Sequence, residues 1–213
     1  MKVGIIDYGV GNLGSIATAV EQLRSKPVLI DRAIDLHAVD ALILPGVGNF
    51  TDCMQVLVKG GWVDAIKEEV TSYHRPLLGI CLGMQLLANV GLEGTLDSTT
   101  GTEGLGLIPG RVVSLKSQGC SLRVPHVGWN NITKLDSKLC LLNGISDGTD
   151  FYFVHSYVFM PDEQSTVLAR AEYDISFTAA IGLGRVWGTQ FHPEKSSRAG
   201  IQLLRNFLDG QPC

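Results

Sequence analysis

The chain has 213 residues, 45% hydrophobic and 18% charged, with a formal net charge of -4. That length favours one domain over residues 1–213 with a substantial core, and the acidic balance without a Lys/Arg cluster excludes an electrostatic footprint for nucleic acid. No apolar run reaches membrane-spanning length, so no membrane partner is expected. The first apolar run meets Asp7, Gly9, Gly11 and Asn12 too soon for a signal peptide. Cys53, Cys81, Cys120, Cys140 and Cys213 form an odd, scattered set with no CxxC pair, which argues against a disulfide framework or a zinc knuckle and fits a reduced cytoplasm.

In chain order, residues 2–7 predict a strand, 13–25 a helix, 28–31 and 41–44 strands, 62–73 a segment containing a helix, and 76–80 a strand. That alternation implies parallel strands joined by helices. From about residue 104 the chain turns β-rich, with strands predicted at 111–115, 151–158, 166–171, 177–181 and 185–190 and a closing helix at 199–208. Residues 91–106, rich in Gly, Thr and Ser, read as a loop. The fold expected is a three-layer α/β sandwich whose largely parallel central sheet acquires antiparallel strands in its second half.

Residues 76–87 carry the strongest local signal. An apolar strand runs into Cys81, a helix-forming segment follows at once, and Gly79 and Gly83 flank the cysteine two residues away on either side. This is the thiol counterpart of the G-x-S-x-G elbow, in which a nucleophile sits on a strained strand-to-helix turn that side chains at the flanking positions would obstruct. The start of a helix favours a thiolate, and the N-H of Leu82 can face a developing oxyanion. An ordinary buried cysteine is the alternative, and the matched glycines speak against it.

A thiol nucleophile needs a base, and five histidines are available. His192 follows a predicted strand and precedes Pro193 and Glu194. An extended segment would project residues 192 and 194 to one side, letting the carboxylate hold the imidazole tautomer. His155 competes but lacks a nearby carboxylate, and is placed near a substrate or in the core. His126 follows Pro125 in a loop-like segment, and His37 and His74 read as surface residues.

Three stretches now stand in order: Gly79-Ile80-Cys81-Leu82-Gly83-Met84-Gln85, Tyr152-Phe153-Val154-His155-Ser156-Tyr157, and Thr189-Gln190-Phe191-His192-Pro193-Glu194-Lys195-Ser196. Together they resemble the class I, or triad, glutamine amidotransferases, whose fold is flavodoxin-like. Asp7-Tyr8-Gly9-Val10-Gly11-Asn12 and Pro125-His126-Val127-Gly128-Trp129-Asn130 narrow the likeness to glutaminase subunits of imidazole glycerol phosphate synthase, over essentially the whole chain.

The resemblance implies that Cys81 forms a glutamyl thioester, with His192 as base and then acid and Glu194 as its orienter. It implies that Pro45, Gly46, Val47 and Gly48 form an oxyanion strand, with Gly46, Val47 and Leu82 around the oxyanion and Gly48 beside the substrate. Gln85 and Glu93 would hold L-glutamine, Glu93 at its ammonium, and backbone groups of His155, Ser156 and Tyr157 would receive its carboxylate. No metal or cofactor is implied. Taken alone, the 45–48 stretch reads as a plain turn, Gln85 as a helix residue and Glu93 as a solvated loop carboxylate.

The family's partner is a (β/α)8-barrel cyclase that accepts the ammonia in a heterodimer, and Val127, Trp129, Asn130, Tyr152 and Lys195 match the positions that meet it. Trp129 on its own also reads as a core residue. Two departures stand out: Val127 occupies a position where methionine is common, and Asn89-Val90-Gly91-Leu92 replaces an acid-rich stretch. Asn130-Asn131 and Asp150-Phe151-Tyr152 also suit paralogues that supply ammonia to a sugar-nucleotide-aminating barrel protein. A cysteine hydrolase without glutamine specificity is the alternative from another class.

Overall fold

The computed structural model describes residues 1–95, 100–135 and 141–210. The first half runs β1 (Lys2–Ile6), α1 (Leu13–Gln22), β2 (Lys26–Ile30), β3 (Ala41–Leu44), α2 (Phe50–Lys59), α3 (Trp62–Thr71), β4 (Leu77–Ile80) and a single-turn α4 (Leu82–Gln85). The second half supplies β5 (Val90–Gly91), β6 (Thr102–Glu103), β7 (Gly110–Ser114), β8 (His126–Asn131), β9 (Thr133–Lys134), β10 (Asp150–His155) and β11 (Tyr157–Pro161). It ends with β12 (Val167–Tyr173), β13 (Ile175–Leu183), β14 (Val186–Thr189) and α5 (Ser197–Asp209).

Among the described residues the main sheet has the order β2-β1-β3-β4-β14-β13-β12-β9. From β2 to β14 every pairing is parallel, and from β14 to β9 every pairing is antiparallel. The expected mixed, largely parallel α/β sheet is therefore present. Alternation along the central strands feeds two cores. Ala41, Ile43, Leu78 and Ile80 face one core with Ile16 and Val20 of α1 and Leu203 and Phe207 of α5. Leu42, Leu44 and Leu77 face the other with Phe50 and Leu57 of α2 and Ile66 of α3. Burial on both faces explains why these strands read as unbroken apolar runs.

Smaller β units complete the molecule: an antiparallel ribbon of β8 and β10, and a sheet of order β11-β7-β5-β6. Three expectations need correction. The strand expected over 151–158 is two strands that break at Ser156 and enter different sheets, so the backbone turns there toward the cavity described below. The loop expected over 91–106 carries the end of β5 and all of β6; its residues 96–99 lie outside the described residues. The helix α2 was not anticipated, although Phe50, Cys53, Met54 and Leu57 are buried at helical spacing and Asn49 caps it by accepting from the Asp52 N-H at 2.9 Å.

Candidate active site

Three neighbouring parallel strands deliver the site from their carboxyl ends. After β3 comes the segment Pro45 to Gly48, after β4 comes Cys81, and after β14 come Gln190 and His192. Ligand sites in open α/β sheets gather at this edge. Register makes the meeting specific: Ile80 lies opposite Thr189, and the Cys81 N-H donates to the Thr189 carbonyl at 2.7 Å. Residues far apart in sequence are thus locked side by side.

Cys81 has φ of 55°, a positive value that non-glycine residues rarely adopt, and forms the bend between β4 and α4. The flanking glycines are required by contact. A Cβ on Gly79 would strike the backbone of Gly83 and Met84, and one on Gly83 would strike the Leu44 carbonyl. Because α4 is only one turn long, the electrostatic help expected from a helix reduces to the local N-H groups after Cys81.

His192 is buried and its Nδ1 lies 2.8 Å from Glu194 Oε1, on a carboxylate whose side chain is 1% exposed. The extended geometry expected for this pair is not what produces it. Pro193–Lys195 forms a 3-10 turn, which the fixed φ of proline starts, and that turn brings Glu194 back to the ring. The turn is pinned by Ser196, whose Oγ donates to the His192 carbonyl at 2.6 Å and accepts from the Tyr152 N-H at 3.0 Å.

With Glu194 on Nδ1, Nε2 is left for Cys81. Nε2 makes no full hydrogen bond, yet the sulfur is close enough to matter. Burial works against the imidazolium, but Cys81 and Glu194 outweigh it and raise the pKa of His192 to about 9. This environment favours the protonated imidazole.

His155 is unsuited to the base role it competed for. Its Nδ1 is 3.0 Å from the Tyr157 carbonyl, which can only accept, so Nδ1 carries the proton and Nε2 accepts from His126 Nδ1 at 3.0 Å. Burial lowers its pKa to about 3. His126, expected in a loop, begins β8 and is stacked between Phe153 and Tyr173.

A cavity of about 300 Å³ opens over Cys81. Its walls include Gly46, Val47, Gly48, Leu82, Gln85, Glu93, His155, Ser156, Tyr157, His192 and Lys195, so the residues expected around oxyanion and substrate all border one space. Glu194 stands behind His192. Glu93 accepts from the Phe50 N-H at 3.2 Å; burial, with Asp52 nearby, raises its pKa. Pro125, Val154 and Gln190 were not anticipated: Pro125 and Val154 line the cavity, and the Cys81 thiol points at the Val154 carbonyl at 3.6 Å. A larger groove of about 1090 Å³ between α1 and α5 reaches the site only at the back of Glu194.

The residues expected to meet a partner mostly share one face. Val127 and Trp129 are exposed on β8, Trp129 meets Tyr152 edge-on at 6.1 Å, and Lys195 Nζ lies 5.8 Å from the Tyr152 ring centre. Trp129 is therefore not a core residue. Asn130 departs from this group: the strand alternation turns it inward, where it donates to the Glu172 carbonyl at 2.7 Å and lies 3.5 Å from His126 Nε2.

A strained cysteine at a strand-helix bend thus sits beside a histidine-glutamate pair at the carboxyl edge of an open α/β sheet. The family model for "Glutamine amidotransferase class-I" matches residues 4–210, and the chain belongs to that family. Among curated relatives it is similar to imidazole glycerol phosphate synthase subunit HisH 1 of Prochlorococcus marinus (strain MIT 9313), 45% identical over 98% of this chain and 97% of that one. It is similar too to subunit HisH of Desulfitobacterium hafniense (strain DSM 10664 / DCB-2), 44% identical over 96% and 92%. Two solved structures share the fold at a TM-score of 0.74: a glutamine amidotransferase at 22% identity covering 97% of each chain, and PurLQS from Thermotoga maritima at 17% covering 98% and 97%.

Proposed function

We propose that this protein is the glutaminase subunit of an imidazole glycerol phosphate synthase, hydrolysing L-glutamine to glutamate and ammonia for histidine biosynthesis. The observation that carries the chemistry is the His192-Glu194 bond behind an imidazole nitrogen left open to Cys81. The near-full-length identity to relatives named as subunits of that synthase supports the assembly, and favours it over a sugar-aminating system or an unspecific cysteine hydrolase. The partner is a (β/α)8-barrel cyclase, met through Val127, Trp129, Tyr152 and Lys195 in a heterodimer. Residues 1–213 act as one domain in the cytoplasm.

Cys81 surrenders its proton to His192 and attacks the side-chain amide carbon of glutamine. The N-H groups of Leu82 and Val47 hold the oxyanion, Gly48 letting that strand turn. His192, oriented by Glu194, protonates the departing ammonia and then activates the water that cleaves the thioester. Glu93 binds the substrate ammonium. Gln85 offers its Oε1, because its two amide hydrogens are taken by Tyr157 and Gln190. Backbone groups at His155, Ser156 and Tyr157 receive the carboxylate.

The test mixes the purified chain with the barrel cyclase subunit from the same organism. Glutamine-dependent formation of imidazole glycerol phosphate is expected, with faster glutamine turnover than the isolated chain gives. A mixture that works with ammonium salts and never with glutamine would refute the assignment.

A further inference from the structure

Gln190 has no role in the chemistry above, yet its side chain is completely buried against the nucleophile. Its Oε1 accepts from Gln85 Nε2 at 2.9 Å, and its Nε2 points at Cys81 Sγ from 3.8 Å. A backbone carbonyl fixes the direction of both bonds. Gln85 Nε2 also donates to the Tyr157 carbonyl at 3.0 Å, and a carbonyl only accepts, so the Gln85 atom there must be nitrogen. One hydrogen of that nitrogen goes to Tyr157 and the other to Gln190. Gln190 must therefore present its oxygen to Gln85 and its N-H to the sulfur; the reverse would set two NH2 groups against each other.

The sulfur thus has two neighbours of opposite preference. The Val154 carbonyl favours the protonated thiol, since an oxygen lone pair attracts S-H and repels a thiolate. The Gln190 N-H favours the thiolate, because a hydrogen bond to an ionised acceptor is the stronger kind. Once the proton passes to His192, the Val154 contact turns repulsive and the Gln190 contact strengthens.

We propose that Gln190 is a positioning residue for the nucleophile, holding the Cys81 thiolate by its side-chain N-H while Gln85 and the Tyr157 carbonyl lock its orientation. This rests on Cys81 being the nucleophile. Neighbouring registry alone makes it possible: Cys81 is tied to Thr189, the residue before Gln190.

The test compares Gln190→Met, close in shape but without a donor, with the parent as full chain and in the complex with its synthase partner. Alkylation of Cys81 by iodoacetamide, read at that residue by peptide mass spectrometry, should shift its rate-pH profile upward by about one pH unit, the scale of one hydrogen bond to an ion. Glutamine kcat should fall about tenfold with KM within about twofold, the pattern of an interaction felt in the reaction and not in binding. Should Gln190→Met not fold, Gln190→Glu gives the reading: it still accepts from Gln85 but turns an oxygen toward the sulfur, so the upward shift should be larger. A folded variant with the parental alkylation profile, or a raised KM with unchanged kcat, overturns the proposal. Separately, a parent protein that still hydrolyses glutamine after full alkylation of Cys81 overturns the nucleophile assignment on which it rests.

Discussion

Cys81, Gln190 and His192 are set by the register of β4 against β14, whereas Val47, Gly48 and Glu93 hang from segments that have left the sheet. The floor of the cavity is buried, hydrogen-bonded and closed to added atoms; a Cβ on Gly46 would already strike Leu82 and Gly83. At the rim Val47 is 45% exposed, and a Cβ on Gly48 would meet nothing. The chemistry proposed for Cys81 and His192 thus rests on rigid structure, while the group proposed for the oxyanion is carried on a short segment whose Gly48 has room to turn. A docked partner can act on the rim without disturbing the floor.

Breaking the floor should have the largest effect. Cys81→Ser is expected to lower glutamine-dependent activity of the complex by about 10³-fold or more, while ammonium salts still support the partner. Paired assays with the two nitrogen sources check this, and retained glutamine turnover would sink it. Next come two glycines. Gly83→Ala drives a methyl into the Leu44 carbonyl and should cost about 3 kcal/mol, while Gly48→Ala, at φ of 100° but in open space, should cost about 1 kcal/mol. Denaturant melts compare them, and equal losses would remove the distinction between floor and rim.

Outside the cavity, Trp129→Ala should leave stability within about 0.5 kcal/mol yet weaken partner binding by about 2 kcal/mol, measured by calorimetric titration. The smallest effect concerns pH. The folded pKa of His192, about 9, exceeds the unfolded value of about 6.5, so stabilisation by its charge is complete below the lower value and lost as pH rises through the higher one. Glu194→Gln removes part of it. The difference in Tm between parent and variant should be widest near pH 6 and narrow toward pH 10; a constant gap would show that the pair does not titrate as inferred.

What the sequence makes legible follows from locality. The glycines around Cys81 are near neighbours, so their spacing exposes the elbow without knowledge of the rest of the fold. His192 and Glu194 are legible as a pair, though an extended segment predicts their contact for the wrong reason, since Pro193 bends the chain into a 3-10 turn. The break at Ser156 is hidden because apolar residues continue on both sides of it. Asn130 reads as a surface neighbour of Trp129 until β8 is known to alternate there. Gln190 gives no local sign at all: its part depends on Gln85, the Tyr157 carbonyl and a strand register that only the folded molecule supplies.

The place of β14 also bears on how the molecule is made. It is the last strand among the described residues, yet it lies inside the sheet between β4 and β13. During synthesis the amino-terminal strands emerge first, and Cys81 leaves the ribosome before His192, the base proposed for it. Until β14 is inserted, β4 has an open edge and the thiol has neither His192 nor Gln190 beside it. Pairing of such distant segments is slow relative to local structure, so Cys81 waits on a contact that local folding cannot supply. The residues proposed for glutamine turnover come together only once β14 has taken its place beside β4.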